Sequence, residues 1–223
     1  MTEKIVTDLE HWYDVAQMPL SQRKVLSAAI RLFARDGFSR TSTKAVAEEA
    51  GVSQAVLFKY FHSKDELLHQ ITSPIAENLI PNYATEFLRH LDQQQFATDQ
   101  LQQTLNEVAQ ERFQFMYQNK EVMLILFSEF LADVEFKQQV LQAFQLQQNQ
   151  LVKRVWRRLK PEAQGRAWRF LRNVVQSFVS QLLGYFILVT NIAPQRHYDF
   201  KADLAQIAEN VYRSIAYPTE KQA

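Results

Sequence analysis

Apolar residues recur along this chain at the three- and four-residue intervals that gather side chains onto one side of a helix. Ile5, Leu9, Trp12, Tyr13 and Ala16 form such a stripe, which Met18-Pro19 closes. Val25, Ala28, Ala29, Leu32 and Phe33 predict a helix over 21–36, and Ala45, Val46, Ala47 and Ala50 a short one after it. Val52, Leu57 and Phe61 are spaced as the inward side of a third short helix over 54–61. Leu67, Leu68, Ile71 and Ile75 carry a further helix from Asp65 to a break expected at Pro74 or Pro81. Beyond the polar, aperiodic stretch Gln93 to Asp99, which reads as a linker, long stripes resume. Leu101, Leu105, Val108, Phe113 and Met116 mark one, and Val122, Leu124, Ile125, Phe127, Phe130 and Leu131 a second. Val134, Val140, Leu141, Phe144, Leu151, Val155 and Leu159 mark a third, closed by Pro161. Helices over 166–190 and 200–217, with Pro194 between them, complete an all-α pattern.

The residues between these stripes are as informative as the stripes. Gly37 stands where the helix over 21–36 must end, and Gly51 where the next one does; both are positions at which the backbone often needs positive φ. Ser42 and Thr43 supply hydroxyls at a helix entrance, and Ser53 can cap the helix after Gly51. Ser63 and Glu66 have the S-x-x-E spacing of a capping box. Helix, Gly-containing turn, helix is the helix-turn-helix pattern of DNA-binding proteins, whose second helix enters the major groove. On that second helix Gln54, Ala55, Phe58 and Lys59 are left facing outward. Gln can bond adenine twice, Lys can reach guanine, and Ala or Phe can touch a thymine methyl.

Composition narrows the picture. Four Gly and six Pro beside an apolar fraction of 47% disfavour a sandwich or barrel, and 223 residues suffice for a sizeable core. The chain has no Cys, which removes disulfides and thiolate metal sites and fits a cytoplasmic location. Its first residues, MTEKIVTDLEHWYD, carry acids and no uninterrupted apolar run, so they do not read as a signal peptide. The stretch 178–193 falls short of the ~20 apolar residues a membrane span needs and contains Ser180, Gln181 and Asn191. Net charge is only +1, yet residues 20–68 hold eight Lys and Arg against five Asp and Glu. His11, His62, His69, His90 and His197 show neither H-x-x-x-H nor H-E-x-x-H spacing, and no Gly-rich phosphate loop or G-x-S-x-G occurs. The expectation is therefore no enzyme, no metal and no cofactor.

The same residues resemble the signature of the tetracycline-repressor (TetR) family of transcription regulators. The resemblance rests on Phe33 with Gly37-Phe38, Thr41-Ser42-Thr43, Val46-Ala47, Ala50-Gly51-Val52-Ser53, Leu57-Phe58-Lys59-Tyr60-Phe61 and Ser63-Lys64-Asp65-Glu66-Leu67. It runs ungapped from Val25 to Leu68, about a fifth of the chain. One departure is Phe58, where the family usually has Tyr, so a phosphate-bonding hydroxyl is missing there. The resemblance implies base contacts at Lys44, Gln54, Ala55 and Lys59, and phosphate contacts at Thr43, Ser53, Tyr60 and Lys64. Each has a plainer reading: Ser53 as a cap alone, Tyr60 as a half-buried aromatic, Lys64 as a solvated cation. Lys64 stands at a helix N-terminus, where positive charge is mildly unfavourable, and a phosphate partner would account for it.

The stripe over 1–20 reads as a helical N-terminal extension that packs on the protein, with DNA contact as the alternative and with no role implied by the resemblance; beyond it the resemblance implies a DNA-binding domain over 21–66 and a helical ligand-binding and dimerisation domain over 67–223. In the family the last two helices pair with their copies as a four-helix interface. The expected residues here are Phe170, Val174, Phe178, Leu182, Tyr185 and Phe186, with Leu204, Ile207, Val211 and Ile215 opposite. Apolar residues covering more than one side of 178–193 point the same way. An apolar effector pocket, if present, draws on Phe113, Phe115, Met116, Tyr117, Phe127, Phe130, Phe144, Trp156, Trp168 and Phe178; the alternative is that these aromatics are core. The basic run Lys153, Arg154, Arg157, Arg158 and Lys160, with Arg166, Arg169 and Arg172, reads as a solvated face or an attractor of anionic ligands. The resulting expectation is a homodimeric transcription regulator, a repressor, that binds a palindromic operator and is released by a small-molecule effector. Its rivals are a DNA-binding protein that answers to a protein partner or acts architecturally, and an enzyme or carrier built on the aromatics.

Overall fold

The computed structural model describes residues 5–79, 81–83, 101–142 and 164–216, with the backbone alone for Val6, Glu10, Leu101, 164–175 and 214–216. Among them there are helices and connecting turns and no strand. We number the helices α1 (Ile5–Val15), α2 (Leu20–Asp36), α3 (Thr43–Ala50), α4 (Gln54–Tyr60), α5 (Lys64–Pro74), α6 (Leu101–Gln118), α7 (Lys120–Ala132), α8 (134–142), α9 (Gln164–Ile187) and α10 (Phe200–Ala216). The chain divides into two compact units, Met1–Phe87 with Asn119–Gln147, and Leu88–Gln118 with Gln148–Ala223.

In the first unit α2 is the central brace. Val25, Leu26, Ala28, Ala29, Ile30, Leu32 and Phe33 are all buried, a stripe wide enough to take α3, α4 and α5 on one side and α7 on another. The helix Lys120–Ala132 thus lies with the N-terminal helices rather than with the rest of the chain's second half. α1 packs within the first unit. Its stripe Ile5, Leu9 and Tyr13 is fully buried, it packs on the segment Ile75–Leu79, and the Ile5 N–H donates to the Asn119 side chain. The α-helix α5 ends at Pro74, one of the two positions where a break was expected. The chain continues from α5 into a π-helical turn over Ile75–Leu79.

The second unit packs α6, α9 and α10 together. Among the residues expected at a dimer face, Leu182, Phe186, Leu204, Ile207 and Val211 are buried in the single chain, with Phe186 and Val211 at 0% exposure. Tyr185 is half-buried and donates its hydroxyl to Asp203, and Phe178 is half-buried. The side chains of Phe170, Val174 and Ile215 lie outside the described residues. Among the described side chains, α9 exposes Gln176, Val179, Ser180 and Gly184, and α10 exposes Lys201, Ala202, Ala205, Gln206, Asn210 and Arg213.

Candidate nucleic-acid interface

Three serines start the three helices that follow the brace. Ser42 Oγ accepts the Ala45 N–H (3.1 Å) at the head of α3, Ser53 Oγ the Val56 N–H (3.3 Å) at α4, and Ser63 Oγ the Glu66 N–H (3.0 Å) at α5. Each satisfies a backbone donor that the first helical turn cannot. Glu66 completes its box one residue early, taking the His62 N–H at 2.7 Å rather than that of Ser63. Between α3 and α4, Gly51 adopts φ 66°, ψ 35°, the left-handed conformation. A Cβ there would meet nothing within 4 Å, so the demand for Gly is one of backbone angle and not of space.

These caps fix the roll of α4. Leu57 and Phe61 are both at 0% exposure, holding the helix by its inner side, while Val52 is only half-buried. Gln54, Ala55, Phe58 and Lys59 all face solvent, and Phe58 is 44% exposed although it is a large apolar ring. Ser53 is exposed beside them at the N-terminus of α4. On α3, Thr43 is half-buried at the first position and Lys44 extends into solvent, with its ammonium 3.9 Å from Glu48 one turn on. Lys59 Nζ lies 5.6 Å from the centre of the Tyr60 ring. The structure therefore brings Thr43, Lys44, Ser53, Gln54, Ala55, Phe58 and Lys59 to the ends and outer side of one helix-turn-helix.

Two of the residues expected at phosphates have partners inside the protein. Tyr60 OH shares a 2.8 Å hydrogen bond with Ser21 Oγ, which ties the end of α4 to the first turn of α2. Lys64 Nζ donates to the carbonyls of Phe38 (2.8 Å), Thr41 (3.1 Å) and Ser39 (3.5 Å) and sits 4.3 Å from the centre of the Phe38 ring. Neither Ser21 nor the 38–41 carbonyls are signalled by spacing or residue type; both contacts join residues more than twenty positions apart. Part of the positive excess of 20–68 is also spent locally, with Arg31 on Glu49 (3.1 Å), Arg35 on Asp36 (2.8 Å) and Arg23 on Asp14.

The aromatics expected around an effector divide between the units. Phe127 and Phe130 are half-buried on α7 in the first, and Phe113, Phe115, Met116, Tyr117 and Phe178 belong to the second. Phe144 and Trp156 lie outside the described residues, as does the basic run 153–160, and so do the side chains of Trp168, Arg166, Arg169 and Arg172. Within the second unit Phe113 and Tyr117 join Tyr185, Tyr198 and Phe200, with ring centres 5.1–6.4 Å apart. Rings at that spacing touch, so this cluster is filled by its own side chains. Tyr198 and Phe200 carry no helical stripe that would have flagged them. Burial, and then the bond to Asp203, hold the Tyr185 phenol protonated far above its usual range. No group of His, Cys, Asp and Glu suited to a metal occurs among the described residues, and no described helix is long and apolar enough to cross a membrane.

Residues 25–71 match the family model for bacterial regulatory proteins, tetR family. The matched stretch contains α3, α4 and the greater part of α2 and α5. An uncharacterized helix-turn-helix transcriptional regulator of Bacillus subtilis, YvkB, is 34% identical over 58 residues, which are 26% of this chain and 31% of that protein. The helix-turn-helix transcriptional regulator HbdR of Aromatoleum sp. is 30% identical over 71 residues, 32% of this chain and 29% of that one. The chain thus spans about a third of the length of the curated relatives it matches. Likeness of fold extends much further. NalD of Pseudomonas aeruginosa, the secondary repressor of the MexAB-OprM multidrug efflux pump, superposes with a TM-score of 0.58 at 21% identity, over 87% of this chain and 96% of that one. A Mesorhizobium loti regulator of proposed TetR-family membership gives 0.60 at 13% identity over 89% and 96%.

Proposed function

We infer, from the premise that this chain belongs to the tetR family of bacterial regulatory proteins, that it regulates transcription by binding duplex DNA in a sequence-specific way. The observation that carries the reading is the outer side of α4. Gln54, Ala55, Phe58 and Lys59 are exposed together on a helix whose inner side, Leu57 and Phe61, is completely buried. A helix so held can enter a major groove without repacking, and these side chains suit base edges: amide to adenine, ammonium to guanine, methyl and ring to thymine methyl. Lys44 extends the base-reading set, while Thr43, Ser53 and Tyr60 would supply the phosphate contacts that fix register. The Tyr60 hydroxyl, already bonded to Ser21, can accept or donate once more. Lys64 is set apart from them by its carbonyl partners.

A single short helix reads few base pairs, so the reading includes a twofold dimer on a palindrome with half-sites one helical turn, roughly 34–36 Å, apart. The exposed small residues Ser180 and Gly184 of α9 and Ala202 and Ala205 of α10 would allow helices of two copies to approach closely. Repression, released by a small-molecule effector that favours a second arrangement of the two DNA modules, completes the reading; such couplings amount to about 1–3 kcal/mol. The test is a band shift at physiological salt with a duplex selected from a random pool, beside a scrambled duplex of equal composition. The reading expects a shift of the selected duplex alone, at a stoichiometry of two chains per duplex. Equal shifts of both duplexes, or none, would contradict it.

A further inference from the structure

We propose that Lys64 is a positioning residue that latches the first turn of α5 to the loop leading into α3, and that it does not spend its charge on a DNA phosphate. An ammonium has three N–H donors and no acceptor. Here all three have a protein oxygen in reach: Phe38 at 2.8 Å, Thr41 at 3.1 Å and Ser39 at 3.5 Å, with the Phe38 ring 4.3 Å away on a further side. A phosphate could engage this ammonium only by displacing one of these contacts.

The loop it holds is otherwise built to present those carbonyls. The Phe38 ring packs edge-on against buried Phe33, with centres 5.2 Å apart. Thr41 is buried, its hydroxyl donating to the carbonyls of Gly37 (2.9 Å) and Leu32 (3.3 Å), and Arg40 Nε donates to that of Asp36 at 2.6 Å. With Lys64 in place, the carbonyls of 36, 37, 38, 39 and 41 each receive a side-chain donor. Ser42, the cap of α3, follows at once. The latch also accounts for a cation at the first position of α5, where the helix dipole disfavours it: three carbonyl dipoles and a ring face outweigh one helix end. Because α3 and α4 lie between the joined residues in sequence, the bond brackets the whole reading unit, and a tilt of α5 would pull on the head of α3.

The consequence for DNA rests on the function proposed above, whereas the latch is a property of the free protein, so two measurements separate them. The first is backbone amide exchange in the full-length free chain, comparing the native protein with Lys64→Met at the amides of Thr41, Ala45 and Val46. The second is the slope of log K against log salt for the selected duplex. The latch predicts lost protection at those amides and weaker binding with an unchanged slope. A phosphate contact predicts unchanged protection and a slope reduced by about 0.9. Should Lys64→Met fail to fold, Lys64→Arg keeps the charge while its planar fork cannot converge on the same three oxygens. The latch then predicts lost protection at full slope, and a phosphate contact predicts native behaviour in both. A reduced slope or intact protection in either variant overturns the proposal. If the native chain selects no duplex at all, the functional reading fails and the exchange data still decide the latch.

Discussion

The helix-turn-helix and the α9–α10 pair are both helices with apolar stripes, yet they differ in how completely the residues determine which side turns inward. Around α3 and α4 every helix is short and its ends are specified: Ser42, Ser53 and Ser63 start them, and Gly37 and Gly51 reverse the chain at positive φ. Once the ends are set, seven residues of α4 leave little freedom of roll, and Leu57 must point inward. α9 spans 24 residues and α10 17, with apolar residues on more than one side, so their spacing permits several inward sides. What chose among them was the packing of α6, which no local signal in α9 or α10 encodes.

Cavity-forming substitutions test this contrast most strongly. Phe186→Ala in α9 should cost about 3–5 kcal/mol and Leu57→Ala in α4 about 2–5 kcal/mol of folding stability in denaturant titrations. For Phe186 the loss should appear in the protomer itself. A variant that folds with native stability and fails only to self-associate would place Phe186 at the dimer face.

One substitution made in both regions should change sign. Gly51→Ala forces a Cβ into the left-handed region and should destabilise by about 1–2 kcal/mol, with no steric clash contributing. Gly184→Ala lies within helix α9 with open space around it and should stabilise the protomer by up to about 1 kcal/mol. If Gly184 lines the dimer contact, the same methyl group should weaken association in sedimentation equilibrium. Destabilisation of the protomer by Gly184→Ala would mean that its surroundings are not open.

Removing a cap should have a smaller effect. Ser42→Ala deletes the acceptor for the Ala45 N–H and should cost about 1 kcal/mol, read as a lowered melting temperature. A subtler effect is expected at Glu129 on α7. Its carboxyl is raised above the usual range, first by burial and then by Asp133 and Asp65. A raised folded value means the contribution to stability is full at acid pH and lost as pH rises through that value. Glu129→Gln should therefore raise the melting temperature at pH 7, with the difference shrinking below the ordinary glutamate range. A gain of equal size at pH 7 and in acid would rule out titration as its cause.

The legible part of the molecule was the part written in local chemistry. The caps, the two glycines and the outward set Gln54, Ala55, Phe58 and Lys59 all follow from residue type and spacing within a few positions. The bonds of Lys64 to 38–41 and of Tyr60 to Ser21 were not legible, because a lysine or tyrosine reaches many acceptors and only the tertiary packing selects one. The recruitment of Tyr198 and Phe200 to the rings of Phe113 and Tyr185 likewise depends on where the turn before α10 lies.

The central claim is that the outer side of α4 reads base edges, and sequencing the duplexes retained from a random pool by the native chain and by Lys59→Ala tests it most directly. The account predicts a twofold-symmetric motif for the native chain, and for the variant the same motif with preference lost at one position per half-site, each lost contact worth about 1–3 kcal/mol. No enrichment by the native chain, or an identical motif from both proteins, would contradict it.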